Sequence, residues 1–237
     1  MNDRFTEKAR NAIEKARAAA MELGHSYIGT EHLLLGIVRE TDALGSRVLR
    51  ENGFEDDSIL MLRSTGDPAE LNRLMDLRVI LTIGSWETAC AINAIAAERA
   101  DVVEAHLKID TGMGRYGFLP DELDQLLPIF RYMPGLHVTG IYTHLHSAFC
   151  SQKATIAQAE AFQGVLDQLH AADCETGMAH MLNSAGLLKY PQYAMDGVRV
   201  GSAVLGRVSV RGNFGLTRIG ECQATVEELR WLPKGHS

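Results

Sequence analysis

The chain has 237 residues, of which 46% are hydrophobic and 22% charged, and its formal net charge is −7 at pH 7. This length can bury one or two apolar cores, and the acidic balance argues against a nucleic-acid binder, which needs a basic surface. The four cysteines form no C-x-x-C pair, and neither a signal-peptide core nor a membrane-length apolar run is present. We therefore expect a reduced, soluble, cytoplasmic protein with no membrane or nucleic-acid partner.

Residues 1–53 carry helical patterns. Apolar residues recur at helical spacing after Thr6, a candidate N-cap of the first helix. Thr30 is the predicted cap of a second helix, and a third is expected from about Ala43 to Asn52. The sequence therefore predicts a small helical bundle at this end of the chain.

Within residues 1–55, the stretch RFTEKARNAIEKARAAAMELGHSYIGTEHLLLGIVRE resembles the first repeat of the amino-terminal domain of Clp-type ATPases. That domain recruits substrates and adaptors, so the resemblance implies a Clp adaptor or client as a partner. It also implies recognition of a peptide or a phosphorylated arginine at Thr6, Thr30 and Glu31, where the Glu31 carboxylate could pair with a guanidinium. Helix capping and a favourable interaction with the helix dipole explain these residues equally well without a ligand. The Clp domain normally holds two such repeats, and only one is found here.

From Ile59 onward the patterns alternate between strand and helix. Six short apolar runs are predicted as strands, at 59–62, 79–82, 102–109, 136–143, 178–183 and 198–200. Asp67, Ser85 and Ser151 each precede a helical pattern as candidate N-caps, and Pro128 is expected to kink or end another helix. Such alternation predicts an α/β fold with a parallel sheet and helical cover.

The changes of pattern suggest three units. Residues 1–57 form the helical part and residues 58–210 the α/β part. In 211–237 the stretch Glu221–Trp231 alternates like a half-buried antiparallel strand, which suits the start of a β domain.

The most informative stretch is EAHLKIDTGMGRYG, residues 104–117. An alternating strand ends at Asp110 and leads into Gly112-Met113-Gly114-Arg115-Tyr116-Gly117. Its G-x-G-x-x-G is also the dinucleotide fingerprint, but the next helix is not expected to begin before Asp121–Glu122, so we discount that interpretation. Parallel α/β proteins bind ligands at the carboxyl ends of their strands, which makes this loop a candidate site.

HLKIDTGMGRYGF resembles the signature of alanine racemases, which are pyridoxal-phosphate enzymes with a barrel followed by a β domain. Three further segments agree in order: GIYTHLHSA at 140–148, MLNSAGLL at 181–188 and GVRVGSAVLGR at 197–207. The resemblance covers about residues 59–237. It implies an incomplete (β/α) barrel that lacks its first strands and most of the β domain, since about six strands are predicted where a closed barrel has eight.

The resemblance implies pyridoxal phosphate as the cofactor and a small amino acid, alanine, as the substrate. Phosphate and ring contacts are implied for Asn183, Ser184, Gly201, Ser202, Arg115 and Arg199. Arg199 would face the ring nitrogen with His144 behind it, and Arg115 would lie near the ring hydroxyl. Lys108, carbamylated in some members, would hold Arg115, while Met113 would lie near the substrate carboxylate. A permanent cation at the ring nitrogen disfavours its protonation, which favours reversible exchange of the α proton.

Two catalytic groups of the resembled family are not matched. Its Schiff-base lysine belongs to a motif on the first barrel strand, and its catalytic tyrosine to a motif in the β domain; Lys108, Lys189 and Lys234 are not at the lysine position. We therefore expect no covalent attachment of the cofactor and no interconversion of L- and D-alanine by this chain. Family members build each active site across a dimer interface, which implies a homodimer.

His144-Leu145-His146 supports an alternative function. An H-x-H at a strand end can bind a metal in barrel hydrolases, provided that other strand ends supply further ligands. Asp110 and His180 are available, but their positions in the sequence are unremarkable. A metal-dependent barrel hydrolase is therefore kept as an alternative, and no metal ligand is assigned.

Overall fold

Five short parallel strands form the centre of the fold in the computed structural model, which describes residues 6–22, 27–28, 30–51, 59–207, 209–217, 228, 230–231 and 233–235. They are β1 (Leu81–Ile83), β2 (Val103–Lys108), β3 (Leu136–Tyr142), β4 (Met178–Asn183) and β5 (Gly197–Arg199). Their order in the sheet is β1-β2-β3-β4-β5, and every neighbouring pair is parallel. A strand order that follows the chain without reversal is typical of (β/α) barrels, whereas doubly wound sheets reverse direction.

The barrel is incomplete. A parallel bridge between Leu60 and Ile80 adds one residue pair beside β1. Among the described residues β1 and β5 are not paired with each other. All six apolar runs predicted from the sequence therefore lie in or next to the sheet, and the predicted α/β class with a parallel sheet is confirmed.

Helices connect the strands on one face of the sheet. They are α4 (Pro68–Asp76), α5 (Trp86–Glu98), α6 (Leu123–Tyr132), α7 (Gln152–Ala171) and α8 (Ser184–Lys189), with a 3₁₀ turn at Pro191–Tyr193. The side chains of Asp67, Ser85 and Ser151 accept backbone N–H groups at the starts of α4, α5 and α7, which confirms the three predicted caps. Helix α6 continues through Pro128 to Tyr132, so it does not end at this proline, and the alternative expectation of a kink stays a prediction.

The two faces of the sheet differ in chemistry because side chains alternate along a strand. Ala105, Leu107 and Ile109 belong to the apolar core that the sheet shares with the helices. The intervening residues His106 and Lys108 point the other way and are buried as well. We call this second surface the inner face; it also carries Thr82, Gly140, Tyr142, His180 and Arg199.

Three helices precede the sheet: α1 (Glu7–Glu22), α2 (Thr30–Arg39) and α3 (Leu44–Glu51). Thr6 Oγ1 accepts the N–H of Ala9, as expected for an N-cap. Helices α1 and α2 pack closely, since a Cβ at Gly36 would lie 2.1 Å from the carbonyl oxygen of Ala12. The three predicted helices are thus observed, although Thr30 is the first residue of α2 instead of its cap, a difference of one position.

Two other sequence predictions fall outside the described residues. The side chains of Thr30 and Glu31 are not described, so the proposed peptide contacts there stay predictions. The predicted strand at Glu221–Trp231 lies almost entirely outside the described ranges. No described helix combines the length and apolarity needed to cross a bilayer.

Candidate functional site

The loop after β2 is organised by Asp110. Its carboxylate accepts the backbone N–H groups of Gly112, Met113, Gly114 and Arg115, at distances between 2.7 and 3.2 Å. Gly112 and Gly114 have positive φ angles of 133° and 68°, which this tight turn around one carboxylate requires. Burial raises the pKa of Asp110, but these N–H donors and the charge of Lys108 lower it more, so the pKa lies below its usual value. Helix α6 begins only at Leu123, which excludes the dinucleotide-binding arrangement.

Two cations of the predicted site lie at the end of β2. Lys108 is 1% exposed, and its Nζ donates to the carbonyl of Ile109 at 2.6 Å. Burial lowers the pKa of Lys108 to about 8, with Asp110 opposing this shift and Arg115 and Arg199 adding to it. Arg115 is exposed, and its guanidinium lies 5.2 Å from the centre of the Tyr116 ring. The two side chains therefore influence each other electrostatically, while Lys108 directs its hydrogen bond to the backbone.

Arg199, at the end of β5, is held by groups from β3 and β4. Its Nη2 donates to the carbonyls of Thr143 at 2.5 Å and Met181 at 3.4 Å, and its Nη1 to the carbonyl of His180 at 3.1 Å. Nη1 also makes a short hydrogen bond to Nδ1 of His180. The guanidinium lies 4.9 Å from the ring centre of Tyr142, within the range of a cation–π interaction.

The direction of the hydrogen bonds follows from Arg199. A guanidinium can only donate, so Nδ1 of His180 is an acceptor and the proton of that ring is on Nε2. This Nε2 then donates to Nδ1 of His106, 2.9 Å away. Burial, together with the charge of Arg199, lowers the pKa of His106 to about 4 and that of His180 to about 3. The chain Arg199–His180–His106 thus consists of one cation and two neutral imidazoles.

Tyr142 connects this hydrogen-bonded series of residues to Thr82 and Tyr116 on the other side of the inner face. Its ring stacks on His180, with centroids 5.0 Å apart and planes inclined by 12°. Its hydroxyl lies 3.0 Å from Thr82 Oγ1 and 3.4 Å from the hydroxyl of Tyr116. Burial raises the pKa of the Tyr142 hydroxyl well above its usual value, so this group remains protonated.

A second group of candidate residues lies where β4 and β5 end. Ser184 Oγ accepts the backbone N–H groups of Gly201 at 3.0 Å and Ala203 at 3.2 Å. The side chain of Ser202 is exposed, and the space beside the Cα of Gly201 is open. Asn183, in contrast, caps α8 through Gly186 N and donates to the carbonyl of Leu145. Ser184, Gly201 and Ser202 therefore present the polar groups that a phosphate could use, whereas those of Asn183 are already bonded.

His144 lies close to the charged groups but is not the hydrogen-bond partner of Arg199. The observed partner is His180, a residue that the sequence offered only as a further metal ligand. His144 is half-buried, and burial together with the charges of Arg199, Arg115 and Lys108 lowers its pKa to about 4. These four side chains therefore share one region, although Lys108 and Arg199 belong to β2 and β5, and Arg115 and His144 to the loops after β2 and β3.

The described residues do not support the alternative of a metal-dependent hydrolase, because they form no set of metal ligands. Strand β3 ends at Tyr142, so His144 and His146 lie in the following loop, where strand alternation does not apply. Nδ1 of His146 is 2.7 Å from Gln158 Oε1. In the described part of the chain, no three His, Cys, Asp or Glu side chains are placed to hold one metal ion.

Sequence reasoning brought together Lys108, Arg115, His144, Ser184 and Arg199, which the structure also places at the ends of neighbouring strands. It did not assign to this site three residues that complete the inner face: Thr82 and Tyr142 were missed, and His180 was considered only as a metal ligand. Their common signal is a polar or aromatic residue at an alternate position within an apolar strand, as in Met178-Ala179-His180-Met181.

Comparisons with known proteins agree with this geometry. Alanine racemase from Clostridium difficile 630 in complex with cycloserine superposes with a TM-score of 0.64 at 24% identity, over 85% of this chain and 60% of that one. The enzyme from Corynebacterium glutamicum gives a TM-score of 0.64 at 24% identity, over 89% and 64%. At this level of identity these structures show the fold alone.

Curated relatives are similar in sequence as well. An alanine racemase from Symbiobacterium thermophilum is 30% identical over 223 residues, which cover 92% of this chain and 56% of that protein. One from Clostridium tetani is 28% identical over 238 residues, covering 96% and 60%. The chain thus spans little more than half the length of these relatives. The family described as "Alanine racemase, N-terminal domain" matches residues 7–209, and the chain therefore belongs to that family.

Proposed function

We propose that the inner face binds pyridoxal phosphate, with Arg199 at the ring nitrogen and Ser184, Gly201 and Ser202 around the phosphate. One observation carries this proposal: Nε of Arg199 is buried and has no hydrogen-bond partner among the described residues. Buried donors without an acceptor are rare in folded proteins. An unprotonated pyridine nitrogen is an acceptor of the kind that this N–H lacks.

The charge of Arg199 supports the same proposal. Its partners are three carbonyls and a neutral imidazole, and no described carboxylate lies within salt-bridge distance. Burial lowers the pKa of Arg199 to about 10, so the guanidinium is still charged at neutral pH. Arg199 is partly buried, and a cation withdrawn from water without a counter-ion is costly, so the anionic cofactor would offset part of this cost.

When bound, pyridoxal phosphate supplies electron withdrawal from the α carbon of an amino acid. Arg199 keeps a positive charge at the ring nitrogen and thereby disfavours a proton there. His180 and His106, both neutral, orient the guanidinium through Nδ1 of His180. The Ser184 hydroxyl and the N–H of Gly201 would donate to the phosphate after their present mutual hydrogen bond opens. Met113, on the loop after β2, would contact the carboxylate of a small amino acid such as alanine.

We further propose that this chain holds the cofactor without a covalent bond, does not interconvert L- and D-alanine by itself, and forms a homodimer. The support comes from the sequence, in which no segment matches the lysine or tyrosine motif of the resembled enzymes. The amine of Lys108 is buried and bonded to the Ile109 carbonyl, which leaves it poorly placed to replace that lysine.

The test is a titration of the purified chain with pyridoxal phosphate, followed by protein fluorescence, beside an assay for racemisation of alanine. Arg199→Met is expected to weaken binding about tenfold or more, since a charged hydrogen-bond partner is lost. Arg131→Met, which changes an exposed arginine on α6, serves as the matched control and should leave the affinity unchanged. Absence of binding by the unmodified chain would refute the cofactor proposal, and measurable racemisation would refute the proposed lack of activity.

The resemblance of residues 1–55 to a Clp half-domain stays a prediction. The family match begins at residue 7 and so includes α1, α2 and α3. Thr6 acts as a helix cap, which accounts for this residue without a ligand. Capture of phosphoarginine peptides by the unmodified chain, lost in Glu31→Ala, is the measurement that decides whether this segment recruits peptides.

A further inference from the structure

Gln158 is a buried amide in the middle of an apolar helix face. The buried row of α7 consists of Thr155, Gln158, Ala159, Phe162, Val165, Leu166 and Leu169. Gln158 is only 2% exposed. An amide buried at such a position is costly unless its donors and acceptor are paired, so its partners indicate what the residue does.

All the hydrogen-bonding capacity of the Gln158 amide is used, and every partner lies in one of two loops. Nε2 donates to Thr111 Oγ1 and to the carbonyl of His144, each at 3.1 Å. Oε1 accepts the backbone N–H of His146 at 3.1 Å and lies 2.7 Å from Nδ1 of the same residue. Thr111 follows β2, whereas His144 and His146 follow β3. The amide therefore ties together the loops at the carboxyl ends of two neighbouring strands.

The orientation of this amide is fixed by groups whose roles cannot change. The His144 carbonyl must accept and the His146 backbone N–H must donate, so the oxygen and nitrogen of Gln158 cannot be exchanged. It follows that Nδ1 of His146 carries a proton. Thr111 Oγ1 accepts from Gln158 and can donate its own proton to Thr143 Oγ1, 2.7 Å away. Two successive hydrogen bonds thus connect Gln158 on α7 through Thr111 to Thr143, which directly follows β3.

We propose that Gln158 is a positioning residue for the candidate site, acting as a clamp that sets the loop after β2 against the loop after β3. The first loop carries Met113 and Arg115, and the second carries His144. The side chain of Gln158 also lies near Gly112, because a Cβ built there would lie 3.8 Å from Gln158 Cγ. The role of this clamp in binding rests on the proposed cofactor and amino-acid site. The effect of Gln158 on the two loops can be tested separately.

The chemistry of the position favours a positioning role over a simple packing role. The neighbours of Gln158 in the buried row are mostly apolar, so a leucine would satisfy packing at this point of the helix. Replacement by leucine leaves the His144 carbonyl and the His146 N–H without their partner, and it removes the acceptor of the His146 imidazole. All of these lost hydrogen bonds belong to residues of the two loops.

The first experiment compares Gln158→Leu with Gln168→Leu in the full chain by NMR. Gln168 is an exposed glutamine of the same helix, and among the described residues its amide donates to the Gly164 carbonyl of that helix, so it is a matched control. With ¹³C-methyl methionine, the Met113 signal is assigned through Met113→Leu. We expect Gln158→Leu to shift or broaden this signal and to remove the Nδ1–H form of His146 seen by ¹⁵N NMR, whereas Gln168→Leu changes neither. An unchanged Met113 signal in Gln158→Leu overturns the proposal.

The second experiment measures pyridoxal phosphate affinity in the same variants and in Gln158→Glu. The carboxylate can still accept from His146 and from the Thr111 hydroxyl, but it cannot donate to the His144 carbonyl. We expect Gln158→Leu to bind on the order of tenfold more weakly than the unmodified chain, with Gln158→Glu in between and Gln168→Leu unchanged. If Gln158→Leu does not fold, Gln158→Glu is used for the affinity and for the Met113 signal, and its His146 is expected to keep the Nδ1–H form. Equal affinity of a folded Gln158 variant and the unmodified chain contradicts the clamp's role in the site.

The two experiments separate the clamp from the proposed function. If the unmodified chain binds no pyridoxal phosphate, the proposed function fails, while the Met113 and His146 signals still decide whether Gln158 positions the loops. If the cofactor binds and those signals respond only to Gln158, both proposals are supported.

Discussion

Acidification from pH 7.5 to pH 5 is expected to remove about 4 kcal/mol from the free energy of unfolding through His106 and His180 alone. Both rings are buried, being 6% and 4% exposed. Their pKa values in the folded chain are about 4 and about 3, against about 6.5 in an unfolded chain. At pH 5 each histidine is therefore protonated in the unfolded chain and neutral in the folded one, a difference worth about 2 kcal/mol per ring. Folded domains are typically stable by only about 5–15 kcal/mol.

The direction of this effect follows from the hydrogen bonds. Nδ1 of His180 accepts from Arg199, and Nδ1 of His106 accepts from His180. A proton added to either nitrogen removes an acceptor and places a second buried charge beside the guanidinium. Because both pKa values are lowered on folding, stability is retained above about pH 6.5 and falls as the pH decreases towards 4 and 3.

Urea unfolding at several pH values between 7.5 and 5 measures the effect. His180→Gln removes one titrating ring and should make the dependence of the unfolding free energy on pH shallower by about 2 kcal/mol over this range. His137→Gln, an exposed position on β3, is the control and should leave the slope unchanged. Because the slope is compared, a uniform loss of stability in His180→Gln does not affect the interpretation. Equal slopes in His180→Gln and the unmodified chain would show that His180 is not kept neutral by its surroundings.

Much of the fold could be predicted because local signals and tertiary structure agree. Asp67-Pro68-Ala69-Glu70 predicts a helix start from its cap and its proline, and α4 begins at Pro68. Each apolar run of strand length lies in or beside the sheet. These runs are apolar because the helices cover one face of the sheet. Helix α6 is different: an end at its proline was one of two expected outcomes, yet the helix continues, with Leu126 and Ile129 buried on either side of Pro128. The packing of these two side chains outweighs the local cost of the proline.

The candidate site was only partly predictable, since its members meet through pairing between strands. The sequence could place Arg199 and His144 at strand ends, but the choice of His180 as the partner of Arg199 depends on the pairing of β4 with β5. Gln158 was missed for a similar reason. Its position in the buried row of α7 is visible in the sequence, but the loops that it joins come together only in the folded chain.

The inner face depends on a close approach between β2 and β3. The local sequence does not predict this approach. Gly140 pairs with His106 across the two strands. A Cβ at position 140 would lie 2.4–2.6 Å from three atoms of the His106 ring. The ring cannot simply retreat, because it is hydrogen-bonded to His180, whose ring centre is 5.1 Å away. The glycine is therefore required by space and not by backbone angle.

We accordingly expect Gly140→Ala to lower the free energy of unfolding by about 2–3 kcal/mol, the usual cost of overfilling a packed interior. Gly164→Ala is the matched control, because a Cβ at this helical glycine meets nothing within 4 Å. That change should be neutral or stabilising by about 0.5–1 kcal/mol. Urea unfolding at pH 7.5 measures both variants, and equal stability of Gly140→Ala and Gly164→Ala would contradict the predicted clash.

A double-mutant cycle identifies the His106 ring as the source of the cost. His106→Ala removes the ring and with it the three nearest atoms that the added methyl group of Gly140→Ala would meet. The double variant should be no less stable than His106→Ala alone, which corresponds to a coupling energy of about 2–3 kcal/mol between the two positions. Additive effects would instead place the strain in the backbone of β3. His106 is the last residue of the hydrogen-bonded series Arg199–His180–His106. Gly140 therefore also determines whether the guanidinium at the end of β5 is held in place.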